Sequence, residues 1–297
     1  MIIRKSRAEL DKMAEAGQVV ARTLEQVIAA VEPGMTTLDL DRMAEKSIRS
    51  HGATPSFKGY RGFPATLCTS VNHEIVHGIP SGEVVLQIGD LLSVDCGAIV
   101  DGFHGDSAIT VIVGGDEATT PERRELVEAT RRALWDGIAA VAPGSRLGDI
   151  GAAIATVAEG PGYGVVREYV GHGIGRALHE DPAVPNYGSP GRGLKLSRGW
   201  VLAIEPMFNL GTASTRTLSD GWTVVTGDQQ PSAHWEHTVA VTDDGPWVLT
   251  ARSDEPAHPL DEKVSVPHTG VRRAQAVEGG AAHPLDEKVS VPHGRSA

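Results

Sequence analysis

Cysteine is nearly absent, with Cys68 and Cys96 the only two in 297 residues. Two thiols exclude a disulfide framework and fit a reducing compartment. The cytoplasm is the expected location. Aromatic residues are also scarce, at 4% of the chain, so aliphatic side chains must fill most of the core. Basic residues are outnumbered, 27 Lys and Arg against 38 Asp and Glu, for a net charge of −11. Such a surface repels phosphate backbones and anionic lipid, which excludes nucleic acid as a primary partner. No run of ~18 apolar residues occurs, and the first residues carry Arg4, Lys5, Arg7, Glu9 and Asp11 instead of the apolar centre of a signal peptide. Neither export nor a membrane span is expected. What the chain does have is 40% hydrophobic and 22% charged residues, the balance of a globular protein with a large core.

Ser6 reads as a helix N-cap, and Leu10, Met13, Val20, Leu24, Val27, Ile28 and Val31 follow at helical spacing until Pro33-Gly34. A second helical pattern runs from Thr37 through Ile48 to Gly52, and strand-like runs follow at Ala65 to Val71, Leu91 to Cys96 and Ser107 to Val113. A further helix, Pro121 to Val141, ends at Pro143-Gly144 as the first ends at Pro33-Gly34. Pro33 and Pro143 lie 110 positions apart, and that spacing also sets Asp39 on Asp149 and Leu91 to Asp95 on Val201 to Glu205. The ordered series of matches implies one domain of two related αβ halves, each with an apolar strand delivering a carboxylate toward the other.

After Thr250 the pattern changes. Residues 257–268 read AHPLDEKVSVPH, and residues 282–293 repeat the string without a difference. Two proline-interrupted copies are too few for a solenoid and lack the periodicity to pack. The expected division is one folded domain over 1–252 and a flexible tail over 253–297.

Asp95 and Asp106 stand at the ends of apolar strands, Glu205 follows Val201 to Ile204, and Glu236 precedes Val239 to Val241. Carboxylates so placed are costly to desolvate without a compensating cation. His172, between two glycines, is the nitrogen donor to add. Four carboxylates balance two divalent cations, and an oxygen-rich set with one imidazole suits Mn, Fe, Co or Zn. Two such cations can share carboxylate bridges, acidify a water and polarise a carbonyl.

The strings Asn72-His73-Glu74 to His77-Gly78-Ile79-Pro80, Gly171-His172-Gly173-Ile174-Gly175, Ile204-Glu205-Pro206-Met207 and Glu236-His237-Thr238-Val239 resemble type I methionine aminopeptidases. The resemblance spans Met1 to about Arg252. It implies an α+β pita-bread fold, two pseudo-symmetric αβ halves around a curved, mainly antiparallel sheet, shared with creatinase and proline peptidases. By position, Asp95 resembles the bidentate ligand of one metal, His172 and Glu205 ligands of the other, and Asp106 and Glu236 the bridging pair. The family removes the initiator methionine from nascent chains when the second residue is small, which implies polypeptide N-termini as substrates, a transient ribosome contact and a monomer. Glu205 resembles the proton shuttle, and His77 and His179 the two histidines beside the scissile bond. Tyr60, Phe63, Cys68 and Trp222 match the methionine pocket, whereas Leu178 and Arg61 depart from the aromatic residue and histidine of many members. Core packing competes with that role for Tyr60, Phe63 and Trp222. Two other readings remain open here: a proline peptidase of the same fold and a catalytically silent binding protein.

Overall fold

A computed structural model describes residues 2–257. Helix α1 (Arg7–Ala30) starts on a capping box in which Ser6 and Glu9 satisfy each other's backbone N–H groups. Helix α2 (Thr37–Ser50) repeats the device with Thr36 and Asp39. Helix α3 (Pro121–Ala139) has Thr120 as its cap and proline in its first turn, where a missing N–H costs nothing. Helix α4 (Leu147–Glu159) begins 110 residues after α2, and Asp149 accepts a hydrogen bond from the Arg146 N–H at 2.6 Å, the role Asp39 plays for Thr36.

The main sheet has nine strands among the described residues: β1 (Thr54–Pro55), β2 (Leu67–Val71), β3 (Leu91–Val100), β4 (Phe103–Ile112), β5 (Gly171–Gly173), β6 (Glu180–Val184), β7 (Val201–Ile204), β8 (Glu236–Thr242) and β9 (Gly245–Val248). Their order is β1-β3-β4-β8-β7-β5-β6, with β2 also on β3 and β9 also on β8, and every pairing is antiparallel. The two halves meet at the β4–β8 seam, where Ser107 faces His237 and Ala108 faces Glu236.

The internal repeat is legible in the packing. Leu24, Leu40, Leu92 and Val94 are fully buried in the core beneath α1 and α2. Leu134, Ile150, Leu202 and Ile204, each 110 positions later, are fully buried in the core beneath α3 and α4. Each such side chain contributes roughly 1.5–3 kcal/mol by leaving water. Isolated bridges repeat too, Thr36 with Val85 and Arg146 with Lys195. Helix α1 lies so close to β4 that a Cβ on Gly105 would stand 2.8 Å from the Gly17 nitrogen, so only glycine fits there.

Residues 253–257, assigned to the tail from sequence, are packed on this domain. The Ser253 N–H donates to Glu25, the Val248 N–H donates to the Ala257 carbonyl, and the Glu255 side chain is 2% exposed. The duplicated segments lie outside the described residues, apart from Ala257.

Candidate metal centre

Strand register determines which side chains share a face, because residues directly opposite and residues two apart point the same way. Cys68 on β2 faces Asp95 on β3, and Asp95 faces Ala108 on β4. Ala108 faces Glu236 on β8, and Asp106 stands two residues from Ala108. Ala203 on β7 faces Thr238 on one side and His172 on the other, and Glu205 lies two residues beyond it. All five residues proposed from sequence as ligands therefore project from one face, on both sides of the seam.

The groups converge. Donor atoms of Asp106, His172 and Glu236 lie within 4.8 Å of one another. The Asp95 and Asp106 carboxyls stand close enough to shift each other's pKa, and His172 Nε2 lies 3.6 Å from Glu205 Oε1. His172 Nδ1 lies 2.9 Å from the Gly173 carbonyl. A proton there donates to that oxygen and leaves the Nε2 lone pair facing the carboxylates, the tautomer a metal ligand needs.

Burial drives the electrostatics. It pushes Asp95 up to about 7 and raises Asp106, Glu205 and Glu236 well above the usual carboxyl range, with neighbouring carboxylates adding to the last three. Burial also lowers His172 to about 3, so its imidazole is neutral. Asp95 Oδ1, Asp106 Oδ1 and Glu236 Oε1 are buried without hydrogen-bond partners among the described residues. Orphaned carboxylate oxygens beside a neutral imidazole are a donor set for a hard or borderline divalent cation, and the residues fit such a group.

Beside this centre stands an apolar wall. Phe63, Cys68 and Leu178 belong to one buried cluster against which Tyr60 and Trp222 pack. Phe63 and Trp222 meet edge to face at 5.1 Å. Strand Val224–Thr226 pairs with Glu74–Val76, which brings Trp222 to 6.3 Å from the His77 ring. Burial and the nearby Asp95 carboxylate raise the Cys68 thiol well above its ordinary pKa, so it stays protonated and non-nucleophilic. Arg61 lies over the Tyr60 ring. His179 stacks on Tyr60, accepts or donates at 2.9 Å to its hydroxyl, and lies 4.2 Å from the His172 ring. Burial lowers His77 to about 4 and also lowers His179, with Arg61 adding to the latter.

Sequence reasoning gave no role to several neighbours. His234 Nε2 is buried, unpaired and 3.8 Å from Glu205 Oε2. Asn186 donates to the Glu205 carbonyl at 2.9 Å, and Thr238 donates to the Asp106 carbonyl at 2.8 Å. Tyr169 meets the His77 ring edge to face. Thr238 stands inside the Glu236-His237-Thr238-Val239 string, but only the strand register reveals its bond to Asp106; Asn186 and Tyr169 lie outside the quoted strings, and only folding brings them near.

The profile of metallopeptidase family M24 matches residues 11–243. Methionine aminopeptidase 1 of Mycobacterium tuberculosis is 54% identical over 256 residues, covering 84% of this chain and 95% of that protein. The crystal structure of methionine aminopeptidase from Thermotoga maritima superposes with a TM-score of 0.82 at 44% identity, covering 85% of this chain and 100% of that one. Prolidase from Pyrococcus furiosus shares the fold, with a TM-score of 0.67 at 22% identity over 84% of this chain and 66% of that one. The chain belongs to metallopeptidase family M24, in its methionine aminopeptidase branch.

Proposed function

We propose that this chain hydrolyses the N-terminal methionine from nascent polypeptides whose second residue is small, using two divalent cations. Asp95, Asp106, His172, Glu205 and Glu236 would hold the cations. When bound, the metals supply Lewis acidity toward water and the scissile carbonyl. The three orphaned, buried carboxylate oxygens support this reading most strongly.

The chain's own groups do the rest. Glu205 takes a proton from the attacking water at a carboxylate oxygen and returns it to the leaving amine nitrogen. His77 and His179 are neutral because burial lowers their pKa values, so they act without adding charge. His77 accepts the scissile amide N–H at its bare ring nitrogen, and His179 donates its ring N–H to the developing oxyanion. Tyr60, Phe63, Cys68 and Trp222 offer the unbranched thioether an apolar slot with soft and aromatic contacts. The two free, buried cysteines support action in the reducing cytoplasm, where a monomer would meet emerging chains at the ribosome.

Peptide hydrolysis tests the reading. The metal-loaded protein is expected to release methionine from Met-Ala-Ser and to leave Ala-Pro peptides intact. Cleavage of the proline peptides without methionine release would replace it with the proline-peptidase alternative, and cleavage of neither would support a silent binding protein.

A further inference from the structure

The loop that carries His179 is tied from an unexpected direction. Lys5, two residues before α1, is buried with its side chain 4% exposed, and its Nζ lies 2.6 Å from Glu180 Oε2. The other Glu180 oxygen accepts the backbone N–H groups of Arg176 at 2.9 Å and Ala177 at 3.3 Å. One carboxylate thus closes the turn that runs from Arg176 to Glu180, with His179 inside it. The Lys5 N–H donates to the Gly199 carbonyl at 2.7 Å, and Lys5 Nζ also donates to the Ile3 carbonyl at 3.2 Å, so the lysine is anchored at both ends. A Cβ on Gly175 would stand 2.5 Å from Glu180 Oε1 and 2.5 Å from Lys5 Cε. The turn's backbone rests directly on the ion pair.

We infer that Lys5 and Glu180 form a strut that positions His179 against the substrate, making the segment before α1 part of the catalytic geometry. The inference rests on the role given to His179 above. A buried charge stripped of its partner is strongly destabilised. Without Lys5 the Glu180 carboxylate must reorient toward water, releasing the N–H groups of Arg176 and Ala177 and the turn with them. The contacts from His179 to Tyr60 and to the His172 ring depend on that turn. The ligands Asp95, Asp106 and Glu236 lie on other strands and keep their places.

The test uses the full-length, metal-loaded protein with Lys5→Met, Glu180→Gln, His179→Ala and the pairwise combination of Lys5→Met with His179→Ala. With Met-Ala-Ser, Lys5→Met is expected to lower kcat on the order of 10- to 100-fold, with metal content and KM little changed. It should add nothing in the His179→Ala background, and it should shift the His179 imidazole resonance in NMR spectra. Glu180→Gln should give the same signature, and it serves if Lys5→Met does not fold. An equal loss from Lys5→Met in both backgrounds, a parallel loss of metal, or an unmoved His179 resonance overturns the strut. Wild-type kcat in His179→Ala would instead remove the assigned role of His179, and the strut would then be judged on the resonance alone.

Discussion

Glu236 and His237 are neighbours on β8 that point to opposite faces, and the two faces treat buried charge differently. On the Glu236 side, four carboxyl groups gather with three unpaired oxygens and, among the described residues, no protein cation between them. On the His237 side, Glu255 lies 3.2 Å from His237 Nε2 and 2.6 Å from Arg252. Burial alone would raise the Glu255 pKa, yet the charges opposite it outweigh that and hold it well below the carboxyl range. Burial also keeps His237 below its ordinary pKa, and His237 and Arg252 together oppose the Glu255 carboxylate. The His237 side is neutralised from within. The Glu236 side can be neutralised only by something added, and that imbalance separates a ligand site from a structural ion pair.

The largest effects should come from breaking the unbalanced side. Asp106→Asn or Glu236→Gln is expected to lower kcat at least about 10³-fold and to weaken metal binding measured calorimetrically. In chelated protein the same substitutions should raise the melting temperature, because each removes one member of a repelling set. Full activity in either variant would count against the ligand assignment.

Next in size is the pH dependence of the chelated protein, where the two sides carry opposite signs. The raised carboxyl pKa values on the Glu236 side stabilise the fold in full below the ordinary carboxyl range, and that contribution is lost as pH rises through about 7 for Asp95. Glu255, whose pKa is lowered, contributes above the ordinary carboxyl range and loses that contribution as pH falls below it. Chelated protein should therefore be less stable at pH 8 than at pH 6, by on the order of a few kcal/mol. A flat unfolding profile over that interval would contradict the electrostatics.

Glu255→Gln sharpens the other side. It should cost about 3 kcal/mol in urea unfolding and leave the pH 6 to 8 trend in place. The smallest effect is expected from removing residues 258–297, which should leave peptide hydrolysis unchanged. Removing 253–297 instead takes Glu255 away and should cost stability as Glu255→Gln does.

Much of this was readable in the chain. Local signals set the helix starts at Ser6 and Thr37, and the spacing of 110 residues placed Asp95 and Glu205 at equivalent positions of the two halves. Helix α4 was not identified separately, because its sequence is glycine- and alanine-rich and its cap is Arg146 rather than a hydroxyl residue. The matching of Asp149 with Asp39 was the signal for it. Asp106 and Glu236 lie 130 positions apart instead of 110, so the repeat alone did not pair them. Glu255 looked like tail because its partners, His237 and Arg252, identify it only once β8 and β9 have paired. Lys5 and Glu180 are 175 residues apart, a distance at which no local pattern operates.

The β4–β8 seam also constrains how the molecule comes into being. Asp95 and Asp106 belong to one side of it, His172, Glu205 and Glu236 to the other. A chain interrupted before Glu236 lacks one of the five groups that the seam brings together, so under the proposed reading premature termination yields inert fragments rather than a weakened or indiscriminate peptidase.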